Sequence, residues 1–203
     1  MTDPSWSGDG GSRGVFIVLV GPDGVGKTSV ATELISRVGG HYFHFRPPLR
    51  REWTTPTPGE TVRGSPPTPS GTPFAALRLT KAFIVFWLGY LRSVRPDLKA
   101  GGLVVADRWA YGYLVHPEKL GAVKAPKVIR LMLRAMPQPD AVFALVADAA
   151  TIHMRKQELS LEDAAAEVDA WASLPLPQLT RLDANEPVTR VVDDLLRHLG
   201  RVV

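Results

Sequence analysis

The segment at residues 21–28, GPDGVGKT, has the residue types and the spacing that phosphate chemistry requires. It matches the pattern G-x-x-x-x-G-K-[ST]. Its glycines allow a tight turn that brings backbone N–H groups against phosphate oxygens. Lys27 would reach the β- and γ-phosphates, and the Thr28 hydroxyl would bind Mg²⁺. The segment therefore predicts a nucleoside triphosphate site; the alternative is an ordinary glycine-rich turn. The predicted binding residues are Gly21, Asp23, Gly24, Val25, Gly26, Lys27, Thr28 and Ser29.

Such a segment needs a strand before it and a helix after it. Residues 15–20 are continuously apolar and rich in β-branched side chains, which is typical of a buried parallel strand. Residues 28–38 carry apolar side chains at helical spacing, and Gly39-Gly40 ends that pattern. A helix at this point would direct the positive end of its dipole at the same phosphates.

The rest of the chain alternates between strand and helix patterns. Further strands are predicted at residues 41–45, 103–106, 141–146 and 179–182. Further helices are predicted at residues 74–94, 125–136, 149–158, 161–172 and 187–199, the first ended by Pro96 and the last capped by Asn185. This order predicts an α/β fold in three layers, with a central parallel sheet and helices on both faces. Residues 1–13 are expected to form a disordered tail, and residues 14–203 a single domain.

Charged residues at the predicted carboxyl edge of the sheet are the candidates for catalysis. Asp107 and Arg108 directly follow the strand at residues 103–106 and would lie beside residues 21–28, called the phosphate loop below. Asp107 could hold Mg²⁺ or accept a hydroxyl proton, and Arg108 could bind an anion. Asp23 would put a negative charge near phosphates, which indicates a role with a substrate hydroxyl or the metal. Arg155 belongs to a basic segment that could neutralise charge in transit.

Each of these residues also has an ordinary structural explanation. Asp107 and Arg108 could form a strand-end ion pair, Asp23 could only shape the turn, and Arg155 could lie on a solvated helix face. The predicted catalytic residues are Lys27, Asp107, Arg108 and Arg155, and the predicted metal ligands are Thr28 and Asp107.

The composition excludes several functional classes. The 203 residues include no cysteine, which excludes a disulfide framework, a thiolate metal site and a cysteine nucleophile, and fits a cytoplasmic protein. The net charge of +4 forms no basic stripe, so nucleic-acid binding is not expected. The longest apolar run has ten residues, too few for a membrane span.

Asn185 is the sole Asn and is followed by Glu, which excludes the Asn-Lys-x-Asp guanine reader of a switch GTPase. A small nucleotide or metabolite kinase fits the length best.

Five segments, in order along the chain, resemble the thymidylate kinase family of P-loop kinases. They read FIVLVGPDGVGKT, LVVADRWAYG, PQPDAVFALVAD, HMRKQEL and RLDANEPVTRVVDDLL, and they span about residues 15–199. The resemblance implies the P-loop kinase fold, ATP as the phosphoryl donor and Mg²⁺ as the cofactor. It implies that Asp23 lies near the acceptor sugar and the metal, and that Asp107 and Arg108 face the acceptor phosphate. It also implies that Arg155 acts from a lid near residues 153–162.

The same resemblance implies that residues 183–185 lie near the adenine of ATP, so Asp183 and Asn185 join the predicted nucleotide-binding residues. The acceptor side departs from the family. Val20 stands where the family usually has an acidic residue, and Phe45-Arg46-Pro47-Pro48 stands where it has Arg-Glu-Pro-Gly. The apolar run at residues 82–91 lacks the family's Asp-Arg pair. The predicted acceptor-binding residues are Asp23, Arg46, Lys81, Arg108 and Trp109.

The sequence leaves two functions open. One is phosphoryl transfer from ATP to a small acceptor, either a nucleoside monophosphate such as dTMP or a hydroxyl of a sugar, nucleoside or natural product. The other is a nucleotide-binding regulatory or docking module with little kinase activity. Residues 46–73 contain eight Pro and would either close over the acceptor, present a docking segment or form a surface insertion. The helix at residues 74–94 would form core or the interface of a homodimer, which the resemblance favours.

Overall fold

The structure is a computed structural model of the chain, and it describes residues 13–50, 52–56, 72–120, 126–155, 160–174, 176 and 179–200. Five strands form one sheet: β1 (Val15–Val20), β2 (His41–His44), β3 (Leu103–Asp107), β4 (Ala141–Val146) and β5 (Leu179–Asp183). The α-helices of the described residues are α1 (Lys27–Val38), α2 (Thr72–Gly89), α3 (Arg95–Lys99), α4 (Gly112–Val115), α5 (Pro126–Arg134), α6 (Ala149–Arg155), α7 (Leu161–Ala172) and α8 (Val188–Leu199).

All neighbouring strands are parallel, in the order β2-β3-β1-β4-β5. The strand β1 therefore lies in the centre, with Leu19 in register with Asp107 on β3 and with Phe143 on β4. The chain leaves β1 toward β2 on one side and later adds β4 and β5 on the other. Ligands bind at such a reversal, beyond the carboxyl ends of the strands. The sheet thus places the end of β3 beside the start of the phosphate loop.

Helices cover both faces of the sheet, as the sequence predicted. Side chains of a strand alternate between faces, and β1 is buried throughout because both faces are covered. One hydrophobic cluster joins Phe16, Val18 and Val20 to α2, α3 and α5. The other joins the alternate residues of β1 to α1, α6 and α8. The three-layer α/β fold with a central parallel sheet is confirmed.

The helix predicted at residues 74–94 does not end at Pro96. Helix α2 runs into a turn of π-helix at Tyr90–Val94, and α3 continues directly with Pro96 in its first turn. Proline is tolerated there because the N–H groups of a first turn need no helical partner. The Ser93 hydroxyl of the π turn donates a 2.6 Å hydrogen bond to the carbonyl of Pro48. The irregular turn thereby faces the start of the Pro-rich segment.

Three further boundaries differ from the prediction at the carboxyl edge. Strand β2 ends at His44 because Phe45 has a φ of 60°, which no strand residue adopts. Strands β3 and β5 each extend by one residue and so include Asp107 and Asp183. Asn185 does not cap the last helix, whose N-cap is Pro187 and makes no side-chain capping hydrogen bond. Two single turns of 3₁₀-helix, Trp109–Tyr111 and Pro117–Leu120, and the short α4 were not predicted.

Some predictions fall outside the described residues. These are the tail at residues 1–12, residues 51 and 57–71 of the Pro-rich segment, residue 125 at the start of a predicted helix and residues 156–159 of the lid. Within the described part of the chain, no helix is both long and apolar enough to cross a bilayer.

Candidate nucleotide site

The phosphate loop has the backbone conformation that its glycines allow. Gly21, Gly24 and Gly26 all have positive φ angles, of 146°, 84° and 104°. A Cβ on Gly21 would lie 2.7 Å from the carbonyl oxygen of Leu145, so a larger residue would clash with β4. Gly26 is the N-cap of α1, and no side chain caps that helix. The N–H groups of its first turn are therefore available donors for an anion.

Lys27 lies inside the curve of this loop. The residue is 6% exposed, and its Nζ donates to the carbonyl oxygens of Gly21, at 3.1 Å, and Pro22, at 2.7 Å. Burial lowers the pKa of Lys27 to about 8, while the nearby Asp107 carboxylate acts in the opposite direction. The loop thus holds an ammonium group close to the place where the phosphates of a nucleotide would lie.

Asp107 is buried at the end of β3 and is held from one side. Its Oδ2 accepts from the Tyr42 hydroxyl at 3.3 Å and lies 3.1 Å from His44 Nδ1. Among the described residues, its Oδ1 is buried and has no hydrogen-bond partner. Burial would raise the pKa of Asp107, but Lys27 and His44 outweigh burial and the net direction is downward. The group is therefore a carboxylate with one oxygen in use and one available.

Arg108 joins Asp107 to the phosphate loop. Its guanidinium is buried, donates from Nη2 to Asp23 Oδ1, and lies over the ring of Trp171 with 5.6 Å from Cζ to the centroid. The Asp23 backbone N–H donates to Glu167 Oε2 at 3.2 Å. The pair is consequently held both by a strand end and by helix α7.

Glu167 is supported in turn by His116. The distance from His116 Nε2 to Glu167 Oε1 is 3.4 Å. The hydrogen bond from His116 lowers the pKa of Glu167; burial opposes this effect and the Asp23 N–H adds to it. Glu167 therefore carries its charge into a region that already contains Asp23.

Arg155 reaches the phosphate loop from α6. Its Nη1 donates to the carbonyl of Val25 at 3.4 Å and to that of Ala184 at 3.3 Å. Asn185, next in the chain after Ala184, accepts from the Asp148 N–H at 3.2 Å and donates from Nδ2 to Asp183 Oδ1 at 3.0 Å. The structure thus brings Arg155, Asp183 and Asn185 to one side of the loop.

A cavity of about 610 Å³ opens on that same side, between α7 and the ends of β4 and β5. Its lining includes Ala147, Asp148, Val168, Arg181, Asp183 and Asn185. It therefore adjoins the residues predicted to lie near a nucleotide base, and it does not include Asp107.

Three predicted acceptor-binding residues are placed differently from one another. Arg46 is exposed beyond β2, with Nη2 3.3 Å from the Tyr113 hydroxyl. Trp109 is 1% exposed and packs edge-on against Phe86 in the core. Lys81 is exposed on α2, one residue before the buried Ala82. Of these, Arg46 alone lies next to the carboxyl edge with its side chain accessible.

Backbone strain concentrates at the same edge. Among the described residues, the non-glycine residues with positive φ are Phe45, Arg108 and Trp109, at 60°, 69° and 47°. They follow the ends of the neighbouring strands β2 and β3. Such conformations are costly for residues with side chains and cluster at functional sites. Arg46 and Arg108 thus both lie at or beside a strained position.

Several residues that hold this site together were not predicted from the sequence. Tyr42 and His44 are two residues apart on β2, and Glu167 and Trp171 are four residues apart on α7. Each pair therefore shares one face of its element. That spacing indicates common faces but not which partner they meet.

The predicted oxygen ligands, Thr28 and Asp107, have the chemistry that a magnesium ion requires. Among the described residues, no three His, Cys, Asp or Glu side chains come together as a metal cluster. Magnesium at nucleotide sites is usually held by one or two protein oxygens together with phosphates and waters. The Thr28 hydroxyl and the Asp107 carboxylate are hard oxygen donors of that kind. Among the described residues, the buried Oδ1 of Asp107 has no hydrogen-bond partner, so its lone pairs are available for such a role.

The sheet order, the phosphate loop and the covering helices define an α/β fold of the P-loop kinase type. The chain is similar in structure to thymidylate kinase from Candida albicans, with a TM-score of 0.59 over 93% of this chain and 92% of that one. The sequence identity is 16%, so the likeness concerns the fold. No protein-family model matches the chain, and no curated protein matches its sequence.

Proposed function

We propose that this protein is an ATP-dependent phosphotransferase. The observation that carries the proposal is the meeting of three groups at one edge of the sheet. These are the loop with its buried Lys27, the carboxylate of Asp107, and the Arg108–Asp23 pair. Kinases of this kind act chiefly by positioning the two substrates and by stabilising charge on the transferred group.

Each residue has a role in this proposal. The loop N–H groups and Lys27 bind the phosphates of ATP, and Arg155 approaches the same phosphates from α6. Thr28 and Asp107 hold Mg²⁺, which when bound neutralises phosphate charge. Asp183 and Asn185 line the cavity in which we place the nucleotide base.

The acceptor is a small molecule bound between Arg46 and the Arg108–Asp23 pair. A nucleoside monophosphate such as dTMP would use the two arginines for its phosphate. A sugar, nucleoside or natural product would present a hydroxyl, and Asp107 could accept its proton. The structurally similar thymidylate kinase from Candida albicans has a broad substrate specificity, and we therefore propose a broad acceptor screen.

Acceptor-dependent release of ADP is the experiment that tests this function. Purified protein is incubated with ATP, Mg²⁺ and a panel of nucleotides, nucleosides and sugars. We expect at least one acceptor to raise ADP release, and Lys27→Met to abolish it. Lys99→Met, an exposed lysine at the end of α3, is the matched control.

Two results would contradict the proposal. Binding of ATP with no acceptor-dependent turnover would favour the regulatory or docking module, and no binding of ATP would end both ideas. If turnover is found, Asp107→Asn and Arg108→Ala separate the acceptor classes. Full activity of Asp107→Asn would exclude a proton-accepting role for that residue.

A further inference from the structure

Two side chains of β2 control how Asp107 is held. His44 is the register partner of Asp107 across the β2–β3 ladder, and Tyr42 lies two residues earlier on the same face. Both contact the same carboxylate oxygen, Oδ2. Among the described residues, no group hydrogen-bonds to the other oxygen, Oδ1. The two contacts on Oδ2 therefore fix the rotation of the carboxylate about its Cβ–Cγ bond.

Tyr42 also connects the two predicted magnesium ligands. The Thr28 side chain lies near the Tyr42 hydroxyl and acts to lower its pKa, and the Tyr42 hydroxyl donates to Asp107. Burial and the nearby Asp107 charge raise the pKa of Tyr42, so the hydroxyl keeps its proton. Thr28 lies in the first turn of α1, 79 residues before Asp107 in the chain. Tyr42, on β2, sets the position of one relative to the other.

The other oxygen of Asp107 is left for a ligand. A buried acceptor without a partner is unfavourable, because it has lost its hydrogen bonds to water. The negative charge and the acceptor lone pairs of Oδ1 suit an O–H donor. A water molecule held by magnesium and the hydroxyl of an acceptor are the two sources of that group at a kinase site.

We propose that Tyr42 and His44 are positioning residues that reserve Asp107 Oδ1 for an O–H donor supplied with the substrates. The proposal rests on the phosphotransferase function for its ligand, but the geometry of His44 and Asp107 stands independently. His44 Nδ1 must carry a proton to donate to Oδ2, which fixes the tautomer of the neutral ring.

The first experiment reads that tautomer without any substrate. Long-range ¹H–¹⁵N NMR at mildly alkaline pH distinguishes a proton on Nδ1 from one on Nε2, and His44→Gln assigns the signal. We expect the Nδ1–H form in the wild-type protein and its loss in Asp107→Ala. An Nε2–H form of His44, or the same spectrum in Asp107→Ala, would overturn the proposal.

The second experiment measures binding and turnover in Tyr42→Phe and His44→Gln. The matched controls are Tyr90→Phe, in the π turn, and His41→Gln, on the opposite face of β2. Loss of a partner that orients a metal-binding group typically costs about 10–100-fold in affinity or activity. If the O–H donor is a magnesium-bound water, affinity for Mg-ADP falls by that factor while affinity for metal-free ADP is kept. If it is the acceptor hydroxyl, both affinities are kept and kcat falls instead.

A double-mutant cycle separates positioning from mere structure. His44→Gln should cause no further loss in an Asp107→Asn background, because its effect passes through that carboxylate. Additive losses, unchanged binding and turnover, or equal losses in the control variants would each overturn the proposal. If the wild-type protein binds no nucleotide, the phosphotransferase function fails, and the tautomer alone then decides whether His44 holds Asp107.

Discussion

Lys27 is a charged group that the fold keeps away from water, and its protonation should be visible in stability. Its pKa is lowered from 10.5 to about 8 in the folded protein. Between these values the unfolded chain binds more protons than the folded one, so stability rises with pH. Wild-type protein should gain about 3 kcal/mol of unfolding free energy from this residue between pH 8 and 10.5.

Urea unfolding at several pH values tests this prediction. The unfolding free energy of wild type minus that of Lys27→Met should increase as the pH rises above 8. The exposed Lys99→Met should give a flat difference over the same range. A flat difference for Lys27→Met as well would contradict the burial of its ammonium group.

The types of the site residues could be predicted from the sequence, but their partners could not. The phosphate-loop pattern and the Asp-Arg dipeptide identify Lys27, Asp107 and Arg108 because each has local spacing and a strand end to position it. The contacts of Tyr42 and His44 with Asp107 span 65 and 63 residues. No periodic pattern carries such a pairing; it follows only from the strand order, which puts β3 between β1 and β2.

At the scale of elements, helix α7 is coupled to the phosphate loop through Glu167. The carboxylate accepts the Asp23 N–H, and a charged acceptor makes a stronger hydrogen bond than an amide. Glu167→Gln should therefore raise hydrogen exchange at the Asp23 amide by about tenfold. Because the pKa of Glu167 lies below its ordinary value, the contact is present at neutral pH and is lost only as the pH falls through the acid range.

Hydrogen exchange followed by NMR at neutral pH gives the measurement. Glu162→Gln, an exposed residue in the first turn of the same helix, is the control and should leave the Asp23 amide unchanged. Equal protection in wild type and Glu167→Gln would mean that α7 does not restrain the loop.

The boundaries of several elements were predicted less well than their existence. A continuous apolar run identified β1, which is buried on both faces, and the spacing of apolar side chains identified α1, which buries one face. The continuation of α2 through Tyr90–Val94 into α3 has no such signal, because Pro96 is a helix-ending residue in most contexts and a helix-starting one here. The deciding contacts come from the Phe45–Pro48 segment, which the irregular turn accommodates.

Gly89 is the point at which α2 meets that segment. A Cβ on Gly89 would lie 2.5 Å from the Pro47 carbonyl oxygen and 2.7 Å from its ring. Gly89→Ala should therefore destabilise the protein by about 1–3 kcal/mol through overpacking. Gly200→Ala is the control, because its Cβ would have nothing closer than 3.6 Å and the residue has a helical φ of −63°. Urea unfolding of both variants decides; a Gly89→Ala protein as stable as Gly200→Ala would show that Pro47 yields at no cost.

At the scale of the whole molecule, α2 and the following π turn present an apolar face to solvent. Leu77, Ile84, Leu88 and Leu91 are 66%, 49%, 38% and 43% exposed. Their spacing of seven, four and three residues places them along one side of the helical segment. The opposite side, with Ala82 and Phe86, is buried in the core. One helical segment thus supplies both core and an uncovered stripe.

We expect a second copy of the chain to cover this stripe. A two-fold axis would pack the stripe of one molecule against the same stripe of a second molecule, so that each apolar side chain contacts another apolar side chain. Ile84→Glu and Leu88→Glu should weaken the dimer by at least about tenfold, because each would bury an unpaired carboxylate.

Sedimentation equilibrium measures the dissociation constant of each variant against wild type. Leu161→Glu, at a similarly exposed apolar position on α7, should leave it unchanged. A monomeric wild-type protein at high concentration, or a dimer that tolerates both glutamates, would show that α2 is not the interface.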